Sequence, residues 1–294
     1  GYPYFFVKPS SLQIIKNYIF NAKYTISKPI KNELGTNFYI SSIFLNLKHN
    51  QINLGLAKTI LSGGFPDIKW NFFDASLIHF SGKNLRYWDS ILDFYIKYEN
   101  QSSGLITFLE IGQPNRNFNN NNNIIFYDHN LGYNFGLRKY GIFDQKNLFA
   151  GFEYTTMLQG IYYNDIPTAN WYDNNKFNYF SYNGRRIGAH SGPDSDDFLF
   201  FIGASINKVN IVYGINHERH GVSYHFPPEV KFESKISIRY ENRSLTLSIN
   251  YENEHFRHFN FIDSNVNVWN EYFEEGSIQN TKTLLFNLDF KLIN

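Results

Sequence analysis

Phe232-Glu-Ser-Lys-Ile-Ser-Ile-Arg-Tyr-Glu241 is followed, after Asn242 and Arg243, by Ser244-Leu-Thr-Leu-Ser-Ile-Asn-Tyr-Glu252. In both stretches apolar and polar side chains alternate. Because successive side chains of a β-strand point to opposite faces, this alternation predicts two strands, each with an apolar and a polar face. In a soluble sheet the apolar face packs on a core. In an outer-membrane barrel it faces lipid, and the polar face lines the lumen.

The same alternation recurs along the chain. Most of the stretches run about nine to twelve residues, close to the length that a tilted strand needs to cross a bilayer. Segment 11–27 fits either a strand or a short amphipathic helix, and 58–90 fits either a strand pair or an external excursion. The count is therefore about 12–16 strands. We predict strands at 36–47, 50–57, 91–99, 104–112, 130–140, 147–158, 198–206, 209–217, 230–241, 244–252 and 281–292.

The connections between these strands fall into a short and a long class, which alternate from residue 91 onward. Outer-membrane barrels show this asymmetry, with short periplasmic turns and long extracellular loops. We therefore predict an all-β, antiparallel transmembrane β-barrel that forms a single domain over 1–294. The short connections are Lys48–His49, Asn100–Ser103, Gly141–Lys146, Asn207–Lys208 and Asn242–Arg243, and the long ones are 58–90, 113–129, 159–197, 218–229 and 253–280.

The composition excludes several other classes of protein. The 294 residues include no cysteine, so neither disulfides nor thiolate metal sites are available. Twenty-seven basic residues against 26 acidic ones leave no charge surplus for nucleic acid. The sequence contains no phosphate loop, dinucleotide fingerprint or nucleophile elbow. We predict no enzymatic activity, no cofactor and no nucleic-acid partner.

The most specific pattern surrounds the longest connection. It consists of Phe152-Glu-Tyr-Thr-Thr156, Tyr162-Tyr163, Trp171-Tyr172, Tyr182-Asn-Gly-Arg-Arg-Ile-Gly188, His190 and Gly192-Pro-Asp-Ser-Asp-Asp197. Over roughly 148–206 the chain resembles the Wzi-type capsule assembly family of outer-membrane proteins. The resemblance implies a barrel in the outer membrane of a Gram-negative bacterium. It also implies surface loops that act as a lectin and hold capsular or other surface polysaccharide on the cell.

The aromatic and charged residues of this connection are the candidate polysaccharide-binding residues. Flat aromatic faces suit sugar rings, and forked arginine donors suit the carboxylates of an acidic polysaccharide. For the aromatic residues, a place in the interfacial girdle is an equal alternative. For the arginine and aspartate residues, pairing with each other to fix the loop is the alternative. The set comprises Tyr162, Tyr163, Trp171, Tyr172, Arg185, Arg186, His190, Asp194 and Asp196.

Metal binding has weaker support. Asp194, Asp196 and Asp197 offer calcium ligands, but their spacing matches no complete loop signature. His217 and His220 are three residues apart rather than the four of the helical zinc motif, at a predicted strand-to-loop transition. We interpret them as a charged cluster at the loop rim, and we predict no metal site.

The polar faces of the strands supply the predicted lumen-facing residues, which are Glu153, Lys235, Arg239 and Asp289. Three functions remain open: a polysaccharide-binding barrel, a porin-like channel or structural subunit of an envelope secretion or transport machine, and a soluble β-sandwich binding module. The first is our leading prediction. Its expected partners are outer-membrane lipid, capsular or surface polysaccharide and further envelope proteins.

Overall fold

The structure is a computed structural model. It describes residues 4–7, 12–15, 17–27, 38–63, 74, 88–114, 131–157, 181–182, 185–186, 194–222, 228–259 and 278–290. Within that part of the chain, no helix combines the length and the apolarity that a membrane span requires. The described strands are β1 (Tyr4–Val7), β2 (Leu12–Ile15), β3 (Tyr18–Ser27), β4 (Phe38–His49), β5 (Ile52–Gly63), β6 (Trp88–Asn100), β7 (Leu105–Pro114), β8 (Gly132–Ile142), β9 (Gln145–Thr156), β10 (Ser181–Tyr182), β11 (Arg185–Arg186), β12 (Ser195–Ile206), β13 (Val209–His220), β14 (Glu229–Glu241), β15 (Leu245–Arg257) and β16 (Gln279–Phe290).

Fourteen of these strands form one antiparallel sheet, in which β4 to β9 and β12 to β16 follow in chain order. β1 and β2 both pair with β3, and β10 and β11 form a separate hairpin. Every strand predicted from alternation is present, with shifted ends. Segment 11–27 contains strands rather than a helix, and most of 58–90 lies outside the described residues.

The tight turns differ in detail from the prediction. Lys48 and His49 belong to β4, and the turn that follows is Asn50 and Gln51. The ring of His49 stacks on that of Tyr18 at 4.0 Å, which keeps the end of β4 in the sheet. Asn50 and Asn207 have positive φ values of 52° and 54°, a conformation that asparagine tolerates better than most residues.

The chain divides into two compact units. The first contains residues 1–98, 109–133 and 157–193, and the second contains 99–108, 134–156 and 194–294. In the first, the buried side chains Ile26, Ser41, Ile60 and Ser90 form one row across β3 to β6. Ile26 also packs with Tyr39 and Tyr24. The single domain over 1–294 stays a prediction.

The second unit buries polar rather than apolar side chains. Among its described residues, the side chains below a tenth exposed are polar or charged, apart from glycines, and no large apolar side chain joins them. They include Glu218, Lys231, Asn216 and Thr246. This is the reverse of a soluble domain, where large apolar residues are buried and charged ones rarely are.

The strand registers give the sheet β12–β16 two chemically distinct faces. Directly opposed residues of an antiparallel pair share a face. We call the apolar face the one that carries the row Ile202, Tyr213, Ile236, Tyr251, Leu284 and the row Ala204, Ile211, Ile238, Ile249, Phe286. We call the polar face the one that carries Lys231, Glu233, Lys235, Ser237 and Arg239 of β14, opposed by Phe256, Glu254, Glu252, Asn250 and Ser248 of β15.

Two glycines let aromatic rings lie against the backbone of the polar face. A Cβ atom added to Gly203 would lie 2.4 Å from Cζ of Phe149, and one added to Gly151 would lie 2.5 Å from Cζ of Phe201. The same atom at Gly214 would meet nothing closer than 3.7 Å. The rings of Phe149 and Phe201 are 6.5 Å apart, so the middle of this face is filled by packed aromatic side chains.

Candidate binding surface on the polar face

The polar face has two ends, which differ in their connections. At the tight-turn end, short turns join β8 to β9, β12 to β13 and β14 to β15. At the long-connection end, longer segments leave β9, β13 and β15. The charged side chains gather toward the long-connection end.

Lys231 is the centre of this charged group. Its Nζ lies 2.9 Å from Oε2 of Glu233, 2.9 Å from Oε1 of Glu254 and 3.5 Å from Oε1 of Glu218. Glu233 and Glu254 lie within hydrogen-bonding distance of the ammonium group, whereas the carboxylate of Glu218 contributes mainly its charge. The Lys231 side chain is only 9% exposed. We call these four residues the Lys231 cluster.

A second layer of hydrogen bonds holds Glu218. Asn216 Nδ2 donates to its Oε1 at 2.7 Å, and His220 Nε2 lies 3.2 Å from its Oε2. The other ring nitrogen of His220 lies 2.9 Å from Oε1 of Glu229. Ionised carboxylates only accept hydrogen bonds, so an imidazole between two of them suits the doubly protonated form. The cluster is therefore an ordered network across β13, β14 and β15.

Toward the tight-turn end the ion pairs become more exposed. Lys235 Nζ lies 2.8 Å from Oε2 of Glu252, with the lysine side chain 46% exposed. Arg239 Nη2 lies 3.1 Å from Oε2 of Glu241, where both side chains are exposed. Exposed pairs of this kind contribute about 0–1 kcal/mol, because water already solvates both charges.

Glu153 of β9 has its own partner. Arg138 donates to Oε1 of Glu153 from Nε at 3.1 Å and also from Nη2. The guanidinium carbon of Arg138 lies 5.7 Å from the ring centroid of Phe201, within the range of a cation–π contact. Charge and aromatic packing are thus combined in one part of the polar face.

The predicted lumen-facing residues all lie on one face. Glu153 is opposed by Leu199, and the register continues through Asn216 to Glu233 on the polar face. Asp289 is opposed by Thr246, which in turn opposes Glu241. Lys235 and Arg239 belong to the same face of β14. That this face lines a lumen stays a prediction.

The predicted polysaccharide-binding residues are only partly described. Tyr162, Tyr163, Trp171, Tyr172 and His190 lie outside the described residues. The backbones of Arg185 and Arg186 form β11, which pairs with Ser181 and Tyr182. Asn183 and Gly184 stand between the paired residues, and Asn-Gly is the sequence that two-residue hairpin loops favour.

Asp194 and Asp196 have structural contacts. The carbonyl oxygen of Asp194, a residue with φ of 53°, accepts hydrogen bonds from the backbone N–H groups of Gly221 and Val222 at 2.8 and 3.2 Å. Asp196 accepts from Arg219 Nε at 2.8 Å and from its Nη2. Asp196 and Arg219 face the same side as the apolar rows.

The interpretation of His217 and His220 as one cluster at a loop rim is wrong. β13 runs to His220, so both residues are in the strand, and a separation of three residues places them on opposite faces. His220 belongs to the polar face with Glu229, whereas His217 opposes Phe232 on the apolar face. They cannot act as one pair of ligands.

Glu233, Glu252 and Glu254 also form a carboxylate group, with one oxygen of each within 4.8 Å of the others. Lys231 contacts two of these residues and Lys235 contacts the third. The ammonium groups already balance these carboxylates, and we assign no metal to them.

Comparison with known proteins relates the fold to one solved structure. No family model and no curated protein sequence matches the chain. The chain is similar to the structure of Wzi from Escherichia coli, described as an outer-membrane protein involved in group 1 capsule assembly and a carbohydrate-binding β-barrel. The TM-score is 0.57 at 9% sequence identity, over 80% of this chain and 52% of that one.

This similarity concerns the fold. The chain has the all-β antiparallel fold of an outer-membrane β-barrel, and the resemblance predicted from residues 148–206 is confirmed at that level. The chain spans about half of the Wzi chain, 52% of its length.

Proposed function

We propose that this protein is a bacterial outer-membrane β-barrel that binds or anchors capsular or surface polysaccharide at its long-connection end, without catalysis. The observation that carries the proposal is the fold shared with a carbohydrate-binding barrel. The whole function of Wzi is not transferred with it, because the similarity covers about half of that chain.

The distribution of apolar side chains supports insertion into a membrane. Phe200, Tyr213, Ile236 and Tyr251 are each about two-fifths exposed, and Phe286 is 62% exposed. In water such a continuous apolar surface would far exceed the patches of a typical monomer and would favour aggregation. In a membrane this cost is absent, because the apolar side chains contact lipid hydrocarbon instead of water.

The boundary of the apolar face also supports a membrane. On each strand we take the last apolar residue before polar ones begin toward the long-connection end. It is Phe198 on β12 and Ile215, one row farther from that end, on β13. It is Tyr251 on β15 and Leu284 on β16, two rows farther from that end than Phe198. The boundary thus moves by two same-face rows, about 13 Å, across three to four strands, about 14–19 Å. The slope is about 35–45°, which is the tilt of strands in membrane barrels. Only β14 does not follow this slope, because the apolar residues Phe232 and Val230 lie beyond Ser234 toward the long-connection end.

The polar face supports binding of sugars at the long-connection end. Carboxylates and amides accept and donate hydrogen bonds to sugar hydroxyls, and the Lys231 cluster holds such groups in fixed positions beside the long segments. Within those segments we propose that Tyr162, Tyr163, Trp171 and Tyr172 stack on sugar rings. We propose that Arg185, Arg186, His190, Asp194 and Asp196 also contribute to polysaccharide binding, and Arg219 holds the Asp196 carboxylate in place.

Polysaccharide binding by the purified chain tests this proposal. The full chain in detergent is presented with a panel of neutral and acidic bacterial polysaccharides, and binding is followed by biolayer interferometry. The double variant Trp171→Ala/Tyr172→Ala should bind at least about tenfold more weakly, as expected for aromatic hot-spot residues. The control Phe143→Ala removes an aromatic ring that is 86% exposed at the tight-turn end and should bind like the unchanged protein.

Two results would contradict the proposal: binding to none of the polysaccharides, or equal loss in the Phe143→Ala control. Single-channel recording in planar bilayers separates the porin-like alternative. A large, steady conductance would favour a channel over a polysaccharide anchor.

A further inference from the structure

We infer that Arg219, Arg257 and Lys282 bind phosphate groups of an anionic membrane lipid at the edge of the apolar face. We call these three residues the basic rim. The inference rests on the proposed membrane location, and it adds a lipid site that shares Arg219, the partner of Asp196, with the proposed polysaccharide-binding residues.

The strand registers place the basic rim at the boundary between apolar and polar side chains. Arg219 opposes Val230, and Val230 opposes Arg257, so the two arginines share one row. They are two strands apart, about 10 Å between their Cα atoms. Lys282 opposes Asn253 two rows farther along, directly beyond Leu284 on β16. Counted from the last apolar residue of its own strand, Arg219 lies two rows beyond Ile215, Arg257 three rows beyond Tyr251 and Lys282 one row beyond Leu284.

The charge at this boundary is positive. Among the described residues of β12–β16, Asp196 is the only carboxylate on the apolar-face side. The basic rim carries three positive charges, compared with the single negative charge of Asp196. His217 and His255 also lie on this side. A phosphate group is the anionic part of most charged membrane lipids, and basic side chains at the membrane surface attract it.

The contacts of Arg219 leave donors for a phosphate. Its Nε and Nη2 bind Asp196, which fixes the guanidinium plane, and Nη1 does not take part in that pair. The side chain stays 44% exposed. Arginine can therefore present a preoriented N–H group to a phosphate oxygen.

Arg257 and Lys282 supply the remaining positive charge. Arg257 Nε donates to Nε2 of His255 at 3.5 Å, and the ring Nδ1 of His255 lies 2.7 Å from Oδ1 of Asn280. Arg257 is exposed and is oriented by this chain of contacts. Lys282 is exposed and makes no polar contact with the part of the chain that the structure describes.

The neighbouring side chains favour a lipid over a free phosphate ion. Phe198 and Phe232 lie one row from Arg219 and Val230, and they are 45% and 46% exposed. A lipid whose phosphate binds the basic rim would place its acyl chains on this apolar surface. A free phosphate would gain nothing from it.

Lipid retention by the full chain tests the inference. The protein is reconstituted into phosphatidylcholine nanodiscs with and without lipid A, a glycolipid that carries two phosphate groups. Enrichment of lipid A around the protein is measured by native mass spectrometry. The double variant Arg257→Gln/Lys282→Gln should retain roughly 25-fold less, since each basic residue near an anionic surface contributes about fivefold. The control Arg239→Gln removes an exposed arginine from the polar face near the tight turns and should retain lipid A unchanged.

The possible outcomes separate this inference from the proposed function. Equal retention by the double variant, or equal loss in the Arg239→Gln control, overturns the lipid site while leaving the barrel intact. Inorganic pyrophosphate that competes as strongly as lipid A overturns the choice of a lipid as the ligand. Failure of the unchanged chain to enter nanodiscs overturns the membrane location as well as the inference.

Discussion

The two faces of the β12–β16 sheet differ in which side chains they expose and which they bury. The apolar face exposes large side chains such as Tyr213, Ile236 and Phe286, whereas the polar face buries charged groups such as Lys231 and Glu218. In water neither arrangement is favourable, because apolar exposure and charge burial both cost free energy. The proposed membrane location accounts for the difference, with the apolar face against lipid, while the polar face balances its own charges through ion pairs.

Lys231→Met should cause the largest loss of stability. The substitution removes the ammonium group that contacts Glu218, Glu233 and Glu254 and leaves these carboxylates close together without its positive charge. Breaking a buried ion pair from one side typically costs about 3–5 kcal/mol. The matched control Lys235→Met removes a half-exposed pair with Glu252 and should cost about 1 kcal/mol or less. Urea unfolding of both variants in lipid vesicles measures the difference, and similar losses would show that the cluster is not specially organised.

Ile238→Arg tests the apolar face. The residue lies in an entirely apolar row, so a charge there should lower the free energy of unfolding in lipid by about 2–4 kcal/mol. Its chain neighbour Ser237 points to the polar face, where Ser237→Arg should cost clearly less. The experiment compares the urea midpoints of both variants in vesicles. A stable, more soluble Ile238→Arg protein in the absence of detergent would contradict a lipid-facing side.

Gly203→Val tests the packed middle of the polar face. Its first side-chain atom would collide with the ring of Phe149 and with the carbonyl oxygen of Ile211, at 2.4 and 2.7 Å. We expect a loss of about 1–3 kcal/mol, typical of overpacking. Gly214→Ala is the control, because the nearest atom to its Cβ lies at an ordinary contact distance of 3.7 Å. Adding Phe149→Ala to Gly203→Val should restore part of the lost stability. If it does not, the Phe149 ring is not the cause of the destabilisation.

Asn207→Gly should change the free energy of unfolding least, because Asn207 lies in the turn between β12 and β13 and not on either face of the sheet. Asn207 has a φ of 54°, which glycine adopts without strain, although glycine also increases the entropy of the unfolded chain. These effects oppose each other, and we expect a change below about 1 kcal/mol in either direction. Asn207→Val should cost more, because a β-branched residue is strained at positive φ. Equal stability of the two variants would contradict a positive φ at position 207.

The alternation of residues was sufficient to predict the faces and most of the strands. It failed where pairing is irregular. Segment 11–27 fitted two structures, because Ile14 and Ile15 break the alternation, and the structure shows a register shift between Gln13 and Ile15. The turn predicted at Lys48–His49 was too early, because polar residues at a strand end can still pair in the sheet.

The Lys231 cluster could not be predicted from one strand at a time. It joins β13, β14 and β15, so its members meet only when both registers are known. A two-residue turn at Asn242 and Arg243 would place Glu233 opposite Glu252, whereas the observed register pairs Glu233 with Glu254. For Asp196 the sequence left sugar contact and pairing with an arginine of the loop open, and the register places it beside Arg219 of β13.

Site-directed spin labelling along β15 tests whether the apolar face contacts lipid. Single labels at positions 245 to 252 are placed in the full chain in lipid vesicles, and the accessibility of each label to oxygen and to a water-soluble nickel complex is measured. Labels at Leu245, Leu247, Ile249 and Tyr251 should be accessible to oxygen and protected from nickel, and labels at the positions between them should show lower oxygen accessibility. Nickel accessibility at Leu247 and Ile249, or no alternation along the strand, would contradict a lipid-facing apolar surface.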